Sequence, residues 1–426
     1  MLWDKGEETD KDLLKFTVGD DRELDSRLFY YDCLASAAHA EMLFEVGLLT
    51  KEEAKSLKDK LLELSKNTPK IPETFEDSHS YLESLLIEAL GDTGAKIHLG
   101  RSRNDQVQVA IRLFMKEELK KFLITLLDVA KLFHQRSKEN ILIPGYTHLK
   151  PAMPTTSGVW FGSFAEGLLE VLDDGFHLLQ SIDKNPLGSG SGFNTGLKLD
   201  KKRTADILGF SRVQRNPIDV QSSRGRLECK VLGVFVTFAH VISRFAWDVV
   251  LYSSSGLVEL ENRITTGSSL MPQKRNPDLH ELLRGKCGVI RGIYSELLSI
   301  IGSLPSSYHR DFQLTKAPLM RGFDTVLSIL KILPVSIAGI KFNKDKFKDF
   351  PELFATYQAF EKVKSGVPFR NAYKEVAIEL KNSLPNPEKF GSYIDQIKSE
   401  TKIVYDELEE DLKKYENMCS GILGRT

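Results

Sequence analysis

The sequence predicts an all-α fold built around a bundle of long helices, and three observations carry that expectation. Between Asn104 and Arg136, the residues Ile111, Met115, Leu119, Phe122, Leu126, Val129 and Phe133 recur at alternating steps of four and three. That spacing is the seam of a helix that packs in a bundle. From Leu227 to Tyr252 the chain is apolar nearly all round, and a helix without a polar face asks for burial on every side. No segment shows a series of alternating strands.

The elements follow in order. Glu52 to Ser65 reads as an amphipathic helix. Leu43 to Leu48 and Tyr81 to Leu90 suggest others, with Pro69 and Pro72 in a loop between them. Five long apolar-periodic segments come next: Asn104 to Arg136, Ser157 to Ile182, Leu227 to Tyr252, Leu279 to Ile301 and Thr315 to Ile337. From about 345 onward the expectation is shorter helices broken by Pro368, Pro385 and Pro387. A chain of 426 residues is too long for one ordinary core. The expected division is a helical N-terminal domain over 1–103, a central helix bundle over 104–345 and a helical C-terminal domain over 346–426.

Composition excludes several classes. The chain is 41% hydrophobic and 27% charged with a net charge of −1, which gives no reason to expect a nucleic-acid or membrane surface. Its most apolar run, Val231 to Ile242, falls short of the roughly 20 residues that span a bilayer. Met1 to Asp10 is charged and lacks the apolar core of a secretory signal. Cys33, Cys229, Cys287 and Cys419 are far apart, so neither a disulfide scaffold nor a structural zinc site is expected, and a reducing cytoplasm is the natural setting.

Chemistry is expected where polar, glycine-marked loops interrupt the rigid helices. The first such loop is His98-Leu-Gly-Arg101-Ser102-Arg103-Asn104-Asp105. Ser102 or Asn104 can cap the following helix, and the arginines beside free backbone N–H groups make an anion site; a capped helix with solvated charges fits as well. The second, Pro144 to Pro151, carries Thr147 and His148; a histidine there is either a structural residue or an acid–base candidate. The third, Thr265 to Pro277, holds Ser268, Ser269, Lys274 and Asn276, and reads as a mobile loop or a lid. The fourth runs from Pro305 through Tyr308 and Gln313 to Lys316. Three patterns are set aside. Gly188-Ser-Gly190-Ser-Gly192 has neither the strand nor the lysine of a phosphate cradle. His280-Glu281 opens like a zinc-protease motif but meets Arg284. Ser253 to Ser255 reads as a helix end.

Together these loops resemble the fumarase/aspartase superfamily, whose signature GSSxMPxKxNP is matched at every specified position by Gly267-Ser-Ser-Leu-Met-Pro-Gln-Lys-Arg-Asn-Pro277. The resemblance runs from about Phe16 to Leu380. Within the superfamily, Gly100-Arg-Ser-Arg-Asn-Asp-Gln-Val107, Gly145-Tyr-Thr-His148, Gln273 and Leu304-Pro-Ser with Tyr308, Gln313 and Lys316 are similar to the argininosuccinate lyase family. Gly366-Val-Pro-Phe-Arg370 resembles its C-terminal stretch. Fumarases and aspartases typically carry glycine at the place of Gln273, and adenylosuccinate lyases histidine or tyrosine. Some positions depart from the family: Lys150 and Met153 stand where glutamines are common, Asp21 where a substrate-binding serine is frequent, and the segment around Gln221 to Arg226 lacks the acidic pattern of many relatives.

The resemblance implies a fumarase/aspartase-like fold. It implies a homotetramer whose long helices form a 20-helix core, with each active site shared among three chains. The implied reaction is reversible cleavage of argininosuccinate to arginine and fumarate. Ser268 matches the general base, Lys274 its cationic support, His148 the acid that protonates the leaving nitrogen and Glu281 the carboxylate that orients it. Asp25, Ser102, Arg103, Asn104, Thr147, Asn276, Tyr308, Gln313 and Lys316 match substrate-binding positions. No metal or other cofactor is implied, and the partner is a small molecule. The alternatives are another fumarate-releasing lyase, such as adenylosuccinate lyase, or a non-catalytic, crystallin-like member of the fold.

Overall fold

A computed structural model describes residues 10–423. The N-terminal part comprises α1 (Lys11–Val18), α2 (Asp21–Glu45), α3 (Lys51–Leu64), α4 (Ser78–Leu90) and the single turn α5 (Asp92–Ala95). Helix α6 (Arg103–Ser137) leads through strands β1 (Leu142–Thr147) and β2 (Lys150–Thr156) to α7 (Ser157–Ile182). A two-residue strand β3 (Lys184–Asn185) and α8 (Lys201–Ile207) precede β4 (Arg212–Val213), α9 (Pro217–Ser222) and α10 (Arg226–Ser254). Short strands β5 (Val258–Leu260), β6 (Thr266–Gly267) and β7 (Arg275–Asn276) separate α10 from α11 (Asp278–Ile301) and α12 (Lys316–Ala338). The chain continues through β8 (Ile340–Phe342), α13 (Ala355–Lys364) and α14 (Phe369–Glu379) to α15 (Gly391–Leu423). The fold is mainly helical, with the strands confined to two-stranded ribbons.

The main core lies between α6, α7, α10, α11 and α12. Phe122 packs its ring on Phe235 and Phe238. Nearer the other end, Phe133, Trp160, Phe161, Phe164 and Phe245 interlock at offset or edge-on angles. Local signals set the helix starts. Ser102 and Asp105 form a capping box at α6, Thr50 and Glu53 form one at α3, and Thr156 caps α7 through the N–H of Val159. A second, smaller core unites α2, α3 and α4 around Phe29, Leu43, Leu57, Leu61 and Leu82.

Four expectations need correction. Leu43 to Leu48 is not a separate helix: it covers the end of α2 and the turn that follows at Gly47, where φ is 77°. The buried face of α2 carries Asp21, Asp25, Asp32, Ser36 and His39 among alanines, so it has no apolar period to read. The Thr147–His148 segment is not a simple loop but the turn of the β1–β2 hairpin. The last helix, α15, is a single 33-residue rod that packs along α6 and α7. Finally, α10 is not buried on every side within the chain. Arg226, Lys230, Thr237, His240, Arg244 and Trp247 form an exposed stripe along it.

Residues 217–254 contain an 18-residue window of mean hydropathy 1.5, long and apolar enough to cross a membrane by length and composition. The inner face of α10 packs against α7, α11 and α12, and three basic side chains and a histidine lie along the outer face. Charges on that face are costly in hydrocarbon, and the packing is that of a bundle's core helix.

Candidate active site

Two segments of the N-terminal part and three of the bundle enclose a polar cavity. Its walls come from the start of α2, residues 76–79 ahead of α4, the start of α6, the turn at Arg224, and residues 308–316 leading into α12. Six of the sequence-predicted residues line it: Asp25, Arg103, Asn104, Tyr308, Gln313 and Lys316. They come from three separate stretches of sequence.

Lys316 is the most buried cation there. Its Nζ donates to Asp25 at 2.6 Å and to Asp21 at 2.7 Å. Burial works against the ammonium, but the two carboxylates outweigh it and hold its pKa above the ordinary lysine value. Burial raises the Asp21 carboxyl to about 6; Lys316 opposes this and the neighbouring Asp25 charge adds to it. The second oxygen of Asp25 accepts from the backbone N–H of Ser78 at 3.3 Å. Arg103 donates to Asp77 at 2.8 Å and to Glu76 at 3.0 Å. Ser102 does not line the cavity: its oxygen accepts from the Asn104 N–H at 3.2 Å as the α6 cap, which leaves its proton free to donate. The Gln313 amide donates to the Thr17 and Val18 carbonyls at 2.8 and 3.0 Å, tying this wall to the end of α1.

Sequence reasoning missed three buried residues here. His79 Nδ1 lies 2.6 Å from an oxygen of buried Asp32, while Nε2 has no partner and the ring lines the cavity. Burial opposes the charged imidazolium, but Asp32 more than compensates and raises the His79 pKa. Arg224 also lines the cavity, and its Nε has no partner. In the sequence His79 was detectable only as a histidine in the polar run Glu76-Asp77-Ser78; Arg224 lies in the segment from Gln221 to Arg226, whose only signal was a lack of the acidic pattern of many relatives.

The glycine-rich segment set aside above has a structural task beside the site. Gly188 and Gly190, with φ of 91° and 60°, point their N–H groups at one oxygen of Asp105, at 3.1 and 2.8 Å. Burial raises the Asp105 carboxyl to about 6, and these hydrogen bonds work the other way. The segment cradles a carboxylate of the chain itself.

The remaining predicted residues lie on two other structures. Thr147 and His148 sit exposed at the tip of the β1–β2 hairpin. His148 and Leu149 both have positive φ, 53° and 58°, as the centre of a two-residue hairpin turn requires. That conformation strains side chains other than glycine. Gly145 makes room at the bulge below, where an added Cβ would stand 2.9 Å from the Met153 carbonyl oxygen. In the second structure, β6 pairs with β7 and holds residues 268–274 as a loop between two anchored ends. Ser268 Oγ accepts from the N–H groups of Leu270 and Met271 at 3.3 and 3.1 Å. Lys274, Asn276 and Glu281 line a second cavity, between this ribbon, the end of α10 and the start of α11. Neither cavity holds all the predicted residues.

A protein-family model described as Lyase matches residues 5–292. The chain is 42% identical over 394 residues to argininosuccinate lyase of Sorangium cellulosum, covering 89% of this chain and 90% of that protein. It is 40% identical over 391 residues to argininosuccinate lyase of Thermotoga neapolitana, covering 88% and 97%. The chain belongs to the argininosuccinate lyase family. As a member it is a C–N lyase of the fumarase/aspartase superfamily. Solved structures share the family fold at low identity. EDDS lyase in complex with formate superposes with a TM-score of 0.80 at 20% identity, covering 98% of this chain and 93% of that one. A class II fumarase from Schistosoma mansoni gives 0.73 at 18% identity, covering 90% and 94%.

Proposed function

We propose that the chain catalyses the reversible elimination of argininosuccinate to L-arginine and fumarate. The observation that carries this reading is the polar cavity that gathers Asp25, Arg103, Asn104, Tyr308, Gln313 and Lys316. A ligand with an amino-acid end and a strongly polar body suits its alternating carboxylates and cations.

The reaction removes a weakly acidic proton from the carbon next to the C–N bond and spreads the charge onto a carboxylate. That dianionic group needs positioned donors and a cation. In this reading Lys274 and Asn276 serve it, helped by Thr147, Ser102 and Asn104. Ser268 takes the proton. Its oxygen already accepts two backbone N–H groups, and the same donors favour an alkoxide. His148 protonates the departing nitrogen and Glu281 orients and charges it. Side chains alone supply this chemistry, without a cofactor.

The assembly in this proposal is a homotetramer with a 20-helix core and each active site shared among three chains. What supports it is the separation of the three groups of predicted residues, together with an uncovered face on α11. There Leu282 and Val289 are 65% and 53% exposed beside Gly285, Gly288 and Gly292, whose missing side chains meet nothing within 4 Å. An apolar stripe with small residues lets a second helix approach closely. The division at 103/104 and 345/346 belongs to the same proposal. So does a cytoplasmic setting, which four free, separated cysteines suit.

The test is fumarate release, followed by ultraviolet absorbance, with argininosuccinate and adenylosuccinate offered separately. Turnover of argininosuccinate supports the reading; a preference for adenylosuccinate, or no turnover of either, refutes it.

A further inference from the structure

The cavity between α2 and α12 is lined by four carboxylates (Asp21, Asp25, Glu76, Asp77) and four permanent cations (Arg103, Arg224, Arg310, Lys316), and at its α2 wall two of the carboxylates share one ammonium. Asp21 and Asp25 lie one helical turn apart on α2, and both reach the same Lys316 Nζ. With both carboxylates ionised, two negative charges face the one positive charge of Lys316, so the triad itself is net negative by one, and Arg224 across the cavity is the nearest cation left to offset it. The side chains of Lys316, Asp21 and Asp25 are 3%, 12% and 2% exposed, so water screens this imbalance poorly.

Two independent observations mark the cavity as a ligand site. His79 Nε2 and Arg224 Nε are buried without a hydrogen-bond partner, and both side chains line it. A buried polar atom left unpaired is costly, and an incoming polar ligand relieves that cost.

We propose that Asp21 sets the charge preference of this cavity: by sharing Lys316 with Asp25, it selects the ammonium group of an amino-acid-like ligand and weakens the hold of Lys316 on that ligand's carboxylate. The proposal rests on the reading of this cavity as the seat of the arginine half of the substrate. In a cavity with Asp25 alone, the carboxylate and the ammonium would neutralise each other, and a free N–H of Lys316 would face a ligand carboxylate. Asp21 takes a second N–H of Lys316, leaving one for a ligand, and adds a negative charge that repels a ligand carboxylate. Burial keeps its carboxyl above the usual range, yet at slightly alkaline pH it is ionised and the triad stays negative.

Three probes separate the charges: L-arginine, agmatine (the same amine without the carboxylate) and 5-guanidinopentanoate (the carboxylate without the amine). Binding of each is measured by calorimetry to the full chain at slightly alkaline pH, for the wild type, Asp21→Ser and Asp21→Asn. The wild type is expected to bind agmatine at least about tenfold more tightly than 5-guanidinopentanoate, with that ratio falling by about tenfold or more in both variants, the size of effect one poorly screened charge produces. Asp21→Asn keeps the shape of the side chain and carries the comparison if Asp21→Ser does not fold. No wild-type preference, no binding of any probe, or a ratio unmoved in a folded variant overturns the proposal. Fumarate release from argininosuccinate, read on the same preparations, separates the two claims. Turnover with an unmoved ratio sinks the role of Asp21 alone. A moved ratio without turnover sinks the proposed reaction and leaves the charge preference standing.

Discussion

The α2–α12 cavity and the two exposed hairpins are built on opposite plans. In the cavity, charged side chains are buried and locked to one another: Lys316 to Asp21 and Asp25, Arg103 to Glu76 and Asp77, and Gln313 to the end of α1. At the hairpins, His148 and Lys274 stand in solvent, held by backbone pairing underneath rather than by side-chain partners. The difference teaches that one chain preassembles the part proposed to recognise a ligand, while the residues assigned to proton transfer in the proposed reaction sit on ribbons presented outward. Such ribbons suit a site completed by neighbouring chains and closed over its substrate.

The largest expected effect tests the hairpin side. Ser268→Ala should cut turnover of argininosuccinate by about 10²–10⁴-fold, the range for loss of a positioned proton acceptor, with thermal stability unchanged. Ser269→Ala should be milder. Steady-state kinetics of both decide: a dead Ser269→Ala beside a near-normal Ser268→Ala moves the base by one residue.

On the cavity side, Lys316→Met should cost stability rather than only activity. It strands two buried carboxylates, and breaking one side of a buried ion pair costs about 3–5 kcal/mol. Urea denaturation measures this, and a loss under about 1 kcal/mol would mean that the triad does not hold the cavity together. The proposed assembly is tested between the two regions. Val234 is 8% exposed and belongs to the chain's own core, so Val234→Asp would damage the fold as well as any assembly. Val289→Asp, on the uncovered face of α11, should instead dissociate the oligomer in light scattering with helix content retained. A tetramer unaffected by it removes α11 from the interface.

Gln313→Ala should raise KM about fivefold with little change in kcat, consistent with roughly 1 kcal/mol for a hydrogen-bonding side chain. Unchanged kinetics would leave Gln313 only its link to α1. The smallest effect is in pH dependence. Asp21 has its folded-state pKa raised from 3.8 to about 6, so its contribution favours the folded state at low pH and is lost as pH rises through about 6. Asp21→Asn should therefore gain stability relative to wild type as pH rises from about 4 to about 7, read as a widening difference in Tm. A difference that is flat across that range would show that the carboxyl is not held up.

The sequence by itself determined the long helices of the bundle and the residues of the signature loop. A seam of apolar residues or a cap such as Ser102 is local information, and α7 and α11 begin and end within a residue of where the periodicity does. Helix α2 was illegible because polar residues are interspersed among the apolar ones on its buried faces, and polar residues count as inward only once there are partners to receive them. The β1–β2 hairpin was illegible because prolines and a strained His148-Leu149 turn mask the usual strand pattern. Only the tertiary structure decided which loops meet. Lys316 and Asp25, which balance each other's charge, are separated by 291 residues. Spacing along a chain carries no record of such a contact, because it exists only when packing of α2 against the bundle brings two distant helix starts together and removes the water between them.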